Sequence, residues 1–246
     1  MSAERPLILR TLALSPHLGV VVLAPHPDDF DEIGVTLRAL RDKGNPIDLA
    51  VLTSGASGVE DGFRPGLTPT GKAAIREEEQ RASCRFFGLP EERLTFLRLD
   101  EDAHGHLEAS EGNLGRLKAW WDAHPADLVF LPHGNDTNAA HQRTYALFRQ
   151  LLAARPRPLA ALLNRDPKTL AMREDVLTVF GAAEAGWKAE LLRFHQTQHQ
   201  RNLRTRGHGI DERILRVNRE AAARLGKEGE YAEAFELEVF RRDCEP

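Results

Sequence analysis

The chain alternates short, unbroken apolar runs with longer segments whose apolar residues recur every three or four positions. The first run, Gly19-Val20-Val21-Val22-Leu23-Ala24, is continuous and β-branched. That is the pattern of a strand buried on both faces, and Pro25 and Pro27 stop it. Ile33, Leu37 and Leu40 then mark one face of a helix that Gly44 ends. Residues 47–53 predict a second buried strand and residues 54–70 a long Gly/Pro-rich loop. A charged helix over 70–87 follows, closed by Gly88. Further strands are expected at 94–97, 127–131, 159–163 and 176–180, with helices at 111–123 and 139–154. The remainder reads as helix over 183–199 and 210–225, with a mobile loop at 201–209.

Strands alternating with helices predict an α/β fold, a Rossmann-like three-layer sandwich with a mostly parallel central sheet. The segment 155–158 reads as a loop, so the whole chain, 1–246, is expected to form a single domain. Ligands bind such sheets beyond the carboxyl ends of the strands. The residues that follow each strand are therefore the ones to inspect.

Composition removes some classes of partner. A net charge of −4 and a pI near 6.2 favour neither nucleic acid nor an anionic membrane. Cys84 and Cys244 form no CxxC motif, so neither a thiolate metal site nor a disulfide framework is expected. The first ten residues lack a signal-peptide pattern, and no apolar run approaches the roughly 20 residues that span a bilayer. A cytoplasmic protein acting on a small molecule is the expectation.

Two strand ends carry chemistry. After the first strand, His26-Pro27-Asp28-Asp29 places one imidazole and two carboxylates within four residues. After the strand at 127–131, a polar loop holds His133, Asp136 and Asn138 and runs into a helix that starts near His141. His26, Asp29 and His141 make a two-histidine, one-carboxylate set, the open type that zinc or ferrous iron accepts. A ligating carboxylate loses its basicity to the cation, so a second is needed as base, and Asp28 is that residue. Metal-bound water activated by Asp28 suits amide or ester cleavage. On the blander reading of this segment, Asp and Pro are turn formers and Asp29 caps a helix.

The strand followed by Ala24-Pro25-His26-Pro27-Asp28-Asp29 and Gly34-Val35-Thr36 resembles the opening of the LmbE/PIG-L family of zinc-dependent N-acetylglucosamine deacetylases. Thr53-Ser54-Gly55, the helix from Arg76-Glu77-Glu78-Glu79 to Phe87-Gly88, His141, Lys188 with His195 and Gln198, and Tyr231-Ala232-Glu233 resemble later family motifs in the right order. The resemblance implies zinc, or another divalent metal, on His26, Asp29 and His141. It implies Asp28 as base, Arg76 and Asp102 (or Asp100) facing the substrate or supporting the site, and a homo-oligomer. The substrate it implies is an N-acylated sugar or glycoside. Phe30, Asn138 and Ala140 depart from the family pattern. Asn138 stands where the family has a histidine and can donate to an oxyanion but not act as an acid. His133, Asp136 and His195 are the alternatives for the acid, and Asp136 is also expected toward the substrate.

The departures keep open a second reading, a non-catalytic or differently specific small-molecule-binding member of the same fold. A dinucleotide or nucleotide-triphosphate protein is disfavoured by the absence of GxGxxG and of a P-loop. An Asp-nucleophile phosphatase on Asp28 and Asp29 lacks evident partners. His104 and His106 read as surface histidines, Trp120 and Trp121 as core, and the Arg201, Arg204 and Arg206 cluster as a solvated helix face.

Overall fold

The computed structural model describes residues 6–152 and 158–240. The loop expected at 155–158 falls almost wholly outside these, as does Cys244. In chain order the strands are β1 (Leu7–Ile8), β2 (Val20–Ala24), β3 (Ile47–Val51), β4 (Leu94–Phe96), β5 (Leu128–Pro132), β6 (Leu159–Asn164), β7 (Val176–Phe180) and β8 (Tyr231–Phe240). The helices are α1 (Gly34–Arg41), α2 (Pro69–Phe87), α3 (Glu111–Ala123), α4 (Ala139–Leu152), α5 (Ala182–Arg193), α6 (Gln196–Arg206) and α7 (Ile210–Ala223).

One sheet holds all eight strands in the order β1-β7-β8-β6-β5-β2-β3-β4, parallel except for β8. The alternation within β2 builds two cores. Val20, Val22 and Ala24 face α1, α2 and α5 through Leu37, Leu40, Phe87 and Leu191. Val21 and Leu23 face α3 and α4 through Leu117, Trp121, Leu147 and Phe148. The three-layer α/β sandwich expected from the sequence is the observed fold, and Trp120 and Trp121 are core residues.

The chain leaves β2 in opposite directions: β3 and β4 lie on one side of it, β5 and β6 on the other. The gap outside the carboxyl ends of β2 and β5 is thus a topological switch point, where this class of sheet binds ligands.

The short strand β1 was not expected from the sequence, and three further elements differ from expectation. β8 was not foreseen; it inserts between β6 and β7, antiparallel to both. Its Glu233 and Glu236 are buried, which breaks the apolar run that marks a central strand. The helix expected at 183–199 divides at Phe194 and His195, because the His195 ring turns inward to reach Asp31 Oδ2 at 2.5 Å. The loop expected at 201–209 is helical as far as Arg206, and Gly207 at φ +74° caps it.

Candidate metal centre at the switch point

The loop after β2 is clamped from its neighbour. Thr53, just beyond β3, donates its N–H and its hydroxyl to the Pro25 carbonyl at 3.0 and 2.7 Å. Gly55 follows at φ +62°, and a Cβ there would sit 3.0 Å from Pro27 and 3.3 Å from Arg76 Nε. The Thr-Ser-Gly motif thus serves close approach of two loops. Asp28 takes φ +122°, a value non-glycine residues rarely adopt and one that stores strain. Its N–H donates to Gln80 Oε1 at 3.1 Å, and its carboxylate accepts from Arg76 Nη2 at 3.0 Å. Arg76 also donates to the Pro27 carbonyl.

The kink separates the two aspartates. Asp29 Oδ2 accepts the His26 backbone N–H at 2.7 Å and lies 3.3 Å from His26 Nδ1. Asp29 Oδ1 lies 3.5 Å from His141 Nε2. Ligand-type atoms of His26, Asp29 and His141 all fall within 4.8 Å of one another. Burial alone pushes the Asp29 carboxyl up, but hydrogen bonds to His141 and His26 hold it well below the usual carboxylate range.

His141 stands in the first turn of α4, with Asp136 Oδ2 at 3.1 Å and Asp166 Oδ2 at 3.4 Å from its Nδ1. A second acid–histidine cluster therefore shares this ring. Nε2 of the ring faces Asp29, and Nδ1 faces Asp136 and Asp166. His26 and Asp29 lie on the cavity wall with His141, whereas Asp136 does not and is only 1% exposed. Asp136, and with it Asp166 on the cavity wall, holds the ring through Nδ1, as carboxylates behind ligating histidines do. Burial opposes charge on His141, yet Asp136, Asp29 and Asp166 together hold its pKa up at about 10. Burial and the nearby negative charge of Asp136 raise Asp166, and Asp136 is lowered, against its own burial, by its hydrogen bond with His141.

The cavity measures about 550 Å³ and is lined by His26, Asp28, Asp29, Arg76, Asn138 and His141 among others. Asn138 Oδ1 accepts the Ala140 N–H at 3.0 Å and caps α4, which leaves the amide NH₂ for a ligand. Arg76 is 2% exposed and its Nη1 and Nη2 donate to Asp28, Pro27, Glu79 and Thr197, so it supports the site more than it meets a substrate.

Other expected residues are not brought to the cavity wall. His133 Nε2 lies 3.3 Å from Glu236, and its Nδ1 accepts the Asn135 N–H. Asp102 is bound by Arg143 at 2.6 Å and by the backbone N–H groups of His104 and His106. Arg143 foremost holds that carboxyl below its ordinary range. The histidines flanking Gly105, expected on the outer surface, line the cavity because Asp102 closes their turn. His195 is fully buried against Asp31.

Sequence reasoning missed Asp166, Lys168 and Glu32, all on the cavity wall. Asp166 and Lys168 lie just past β6, where the strand-end rule points. Glu32 sits one turn beyond Asp28, its N–H bonded to the Asp28 carbonyl at 3.2 Å. Burial, then the charges of Asp166, Asp29 and Asp28, raise its carboxyl well above the usual range.

The model of the PIG-L family, GlcNAc-PI de-N-acetylase, matches residues 21–152, more than half of the chain. Among solved structures, N,N'-diacetylchitobiose deacetylase from Pyrococcus horikoshii superposes with a TM-score of 0.72 at 19% identity, over 89% of this chain and 83% of that one. The 4-carboxy-2-hydroxymuconate hydratase from Pseudomonas putida gives 0.69 at 18% identity, over 92% and 98% of the two chains. A zinc-inhibited form of teicoplanin deacetylase gives 0.67 at 16% identity, over 92% and 99%. At such identities these likenesses concern the fold. No functionally curated protein sequence matches the chain.

Proposed function

The chain belongs to the PIG-L family, and on that premise we propose that it is a divalent-cation-dependent hydrolase that removes an acetyl group from the nitrogen of an amino sugar or a related polar small molecule. The observation that carries the reading is the convergence of His26, Asp29 and His141 within 4.8 Å on the wall of a cavity that Asp28 shares. Two imidazoles and one carboxylate are the donor set of open catalytic zinc sites, so these three residues would hold the cation, zinc foremost. A cation bound there polarises a carbonyl and makes water easier to deprotonate.

Asp28 takes the proton of the attacking water. Its kinked backbone keeps it apart from Asp29, and Arg76 fixes one carboxylate oxygen while the other remains for water. The Asn138 NH₂ donates to the acyl oxygen as negative charge develops there. The C–N bond then breaks as the proton held by Asp28 passes to the nitrogen, giving acetate and a free amine. The chitobiose and teicoplanin deacetylases of similar fold support acetyl as the acyl group.

The hydratase of similar fold supports a second reading, addition of water to an unsaturated acid, and the arginines on the cavity wall favour it. Incubating the zinc-loaded protein with a panel of N-acetylated sugars and glycosides separates the two. Acetate release that stops on cation removal supports deacetylation. No acetate from any member, with the site loaded, rejects it.

A further inference from the structure

The cavity is electrically divided. Asp28, Asp29 and Asp166 line it, and so do Arg201 and Arg206 of α6 and Arg213 of α7. The α6–α7 corner creates the basic group. Gly207 turns the chain at φ +74°, and Gly209 receives the Arg213 N–H, so that Arg213 comes to the same wall as Arg206. Asn202 Oδ1 accepts from Arg206 Nη1 at 3.3 Å and steadies it.

Neighbouring arginines are neutralised. Arg204 pairs with Glu60 and Arg193 with Asp211. Among the described residues no carboxylate forms an ion pair with Arg201, Arg206 or Arg213, although Glu60, already bonded to Arg204, feels the field of Arg201. Partial burial and then the charges of Arg213 and Arg201 depress Arg206. Like charges gathered on a concave wall favour binding of an anion between them. The guanidinium fork fits planar or tetrahedral oxyanions through paired hydrogen bonds.

We propose that Arg201, Arg206 and Arg213 form an oxyanion subsite, so that the substrate of this cavity carries a carboxylate or phosphate group besides its reacting centre. The acylated nitrogen rests on the function proposed above; the anionic group does not. For Arg201 and Arg206 the sequence reading of a solvated helix face gives way to a place on the cavity wall, while Arg204 stays on the exposed face with Glu60.

The test compares acetate release by the zinc-loaded enzyme from N-acetylglucosamine, N-acetylglucosamine 6-phosphate and N-acetylmuramic acid, with calorimetric binding of glucosamine 6-phosphate run in parallel. The phosphate and carboxylate arms distinguish the two oxyanions. The expected kcat/KM for at least one anionic sugar exceeds that of the neutral one by about tenfold or more. In the Arg201→Gln, Arg213→Gln double variant that ratio falls to about one, chiefly through KM, whereas Arg204→Gln keeps it. Equal kcat/KM for neutral and anionic sugars, or a ratio untouched by the double variant, overturns the subsite and leaves the deacetylase standing. Glucosamine 6-phosphate binding that the double variant abolishes, without acetate release from any sugar, supports the subsite and overturns the deacetylase.

Discussion

Asp28 and Asp29 are chemically identical neighbours, and the backbone between them gives them different work. The left-handed φ of Asp28 turns its carboxylate to Arg76, while Asp29 faces His26 and His141. Asp28→Asn keeps the shape and an acceptor for Arg76 but removes the base. We expect kcat to fall by about 100- to 10,000-fold with cation content unchanged, read by acetate release and metal analysis. Asp136 acts one bond further out, through Nδ1 of His141. Asp136→Asn is expected to weaken cation affinity by about 10- to 100-fold, measured by competition with a chromophoric chelator. Unchanged affinity would mean that Asp136 does not orient the ring.

At the scale of elements, the family motifs that do not line the cavity prove to be a frame. Glu233 of β8 accepts the backbone N–H groups of Val35 and Thr36 and so caps α1. Lys188 of α5 is fully buried and binds Glu233, Asn218 and the Glu32 carbonyl. Glu79 of α2 receives the N–H and hydroxyl of Thr197 and fixes the start of α6. Lys188→Met leaves Glu233 buried without its cation, which costs about 3–5 kcal/mol. Urea unfolding should show that loss; a cost below about 1 kcal/mol would contradict the frame.

These contacts also explain what the sequence could and could not convey. Strand β2 and the HPDD turn were legible because apolar continuity and a local cluster of ligands need no partner to be recognised. His141 was legible because it follows a strand and opens a helix. Strand β8 was not, since Glu233 and Glu236 are buried by pairing with residues distant in sequence, Lys188 and Arg173. The placing of His133, Asp102 and Gly105 depended on partners as remote as Glu236, Arg143 and Ser57, and no local pattern encodes those.

At the scale of the molecule, the sheet presents one switch point, and the proposed cation ligands, the proposed base and the basic wall all open there. None of the apolar clusters that carry the fold includes His26, Asp29 or His141. Chelation with EDTA is therefore expected to end acetate release while far-UV circular dichroism stays the same. The midpoint of thermal unfolding should fall only as far as the lost binding energy requires. Loss of secondary structure on chelation would make the cation structural. No described helix is long and apolar enough to cross a membrane.

The most direct test of a hydrolytic centre with Asp28 as its base is the rate of acetate release per bound cation, compared between the wild type and Asp28→Asn at equal zinc content. A rate at least about 100-fold lower in the variant is predicted. Equal rates at equal zinc content would contradict it.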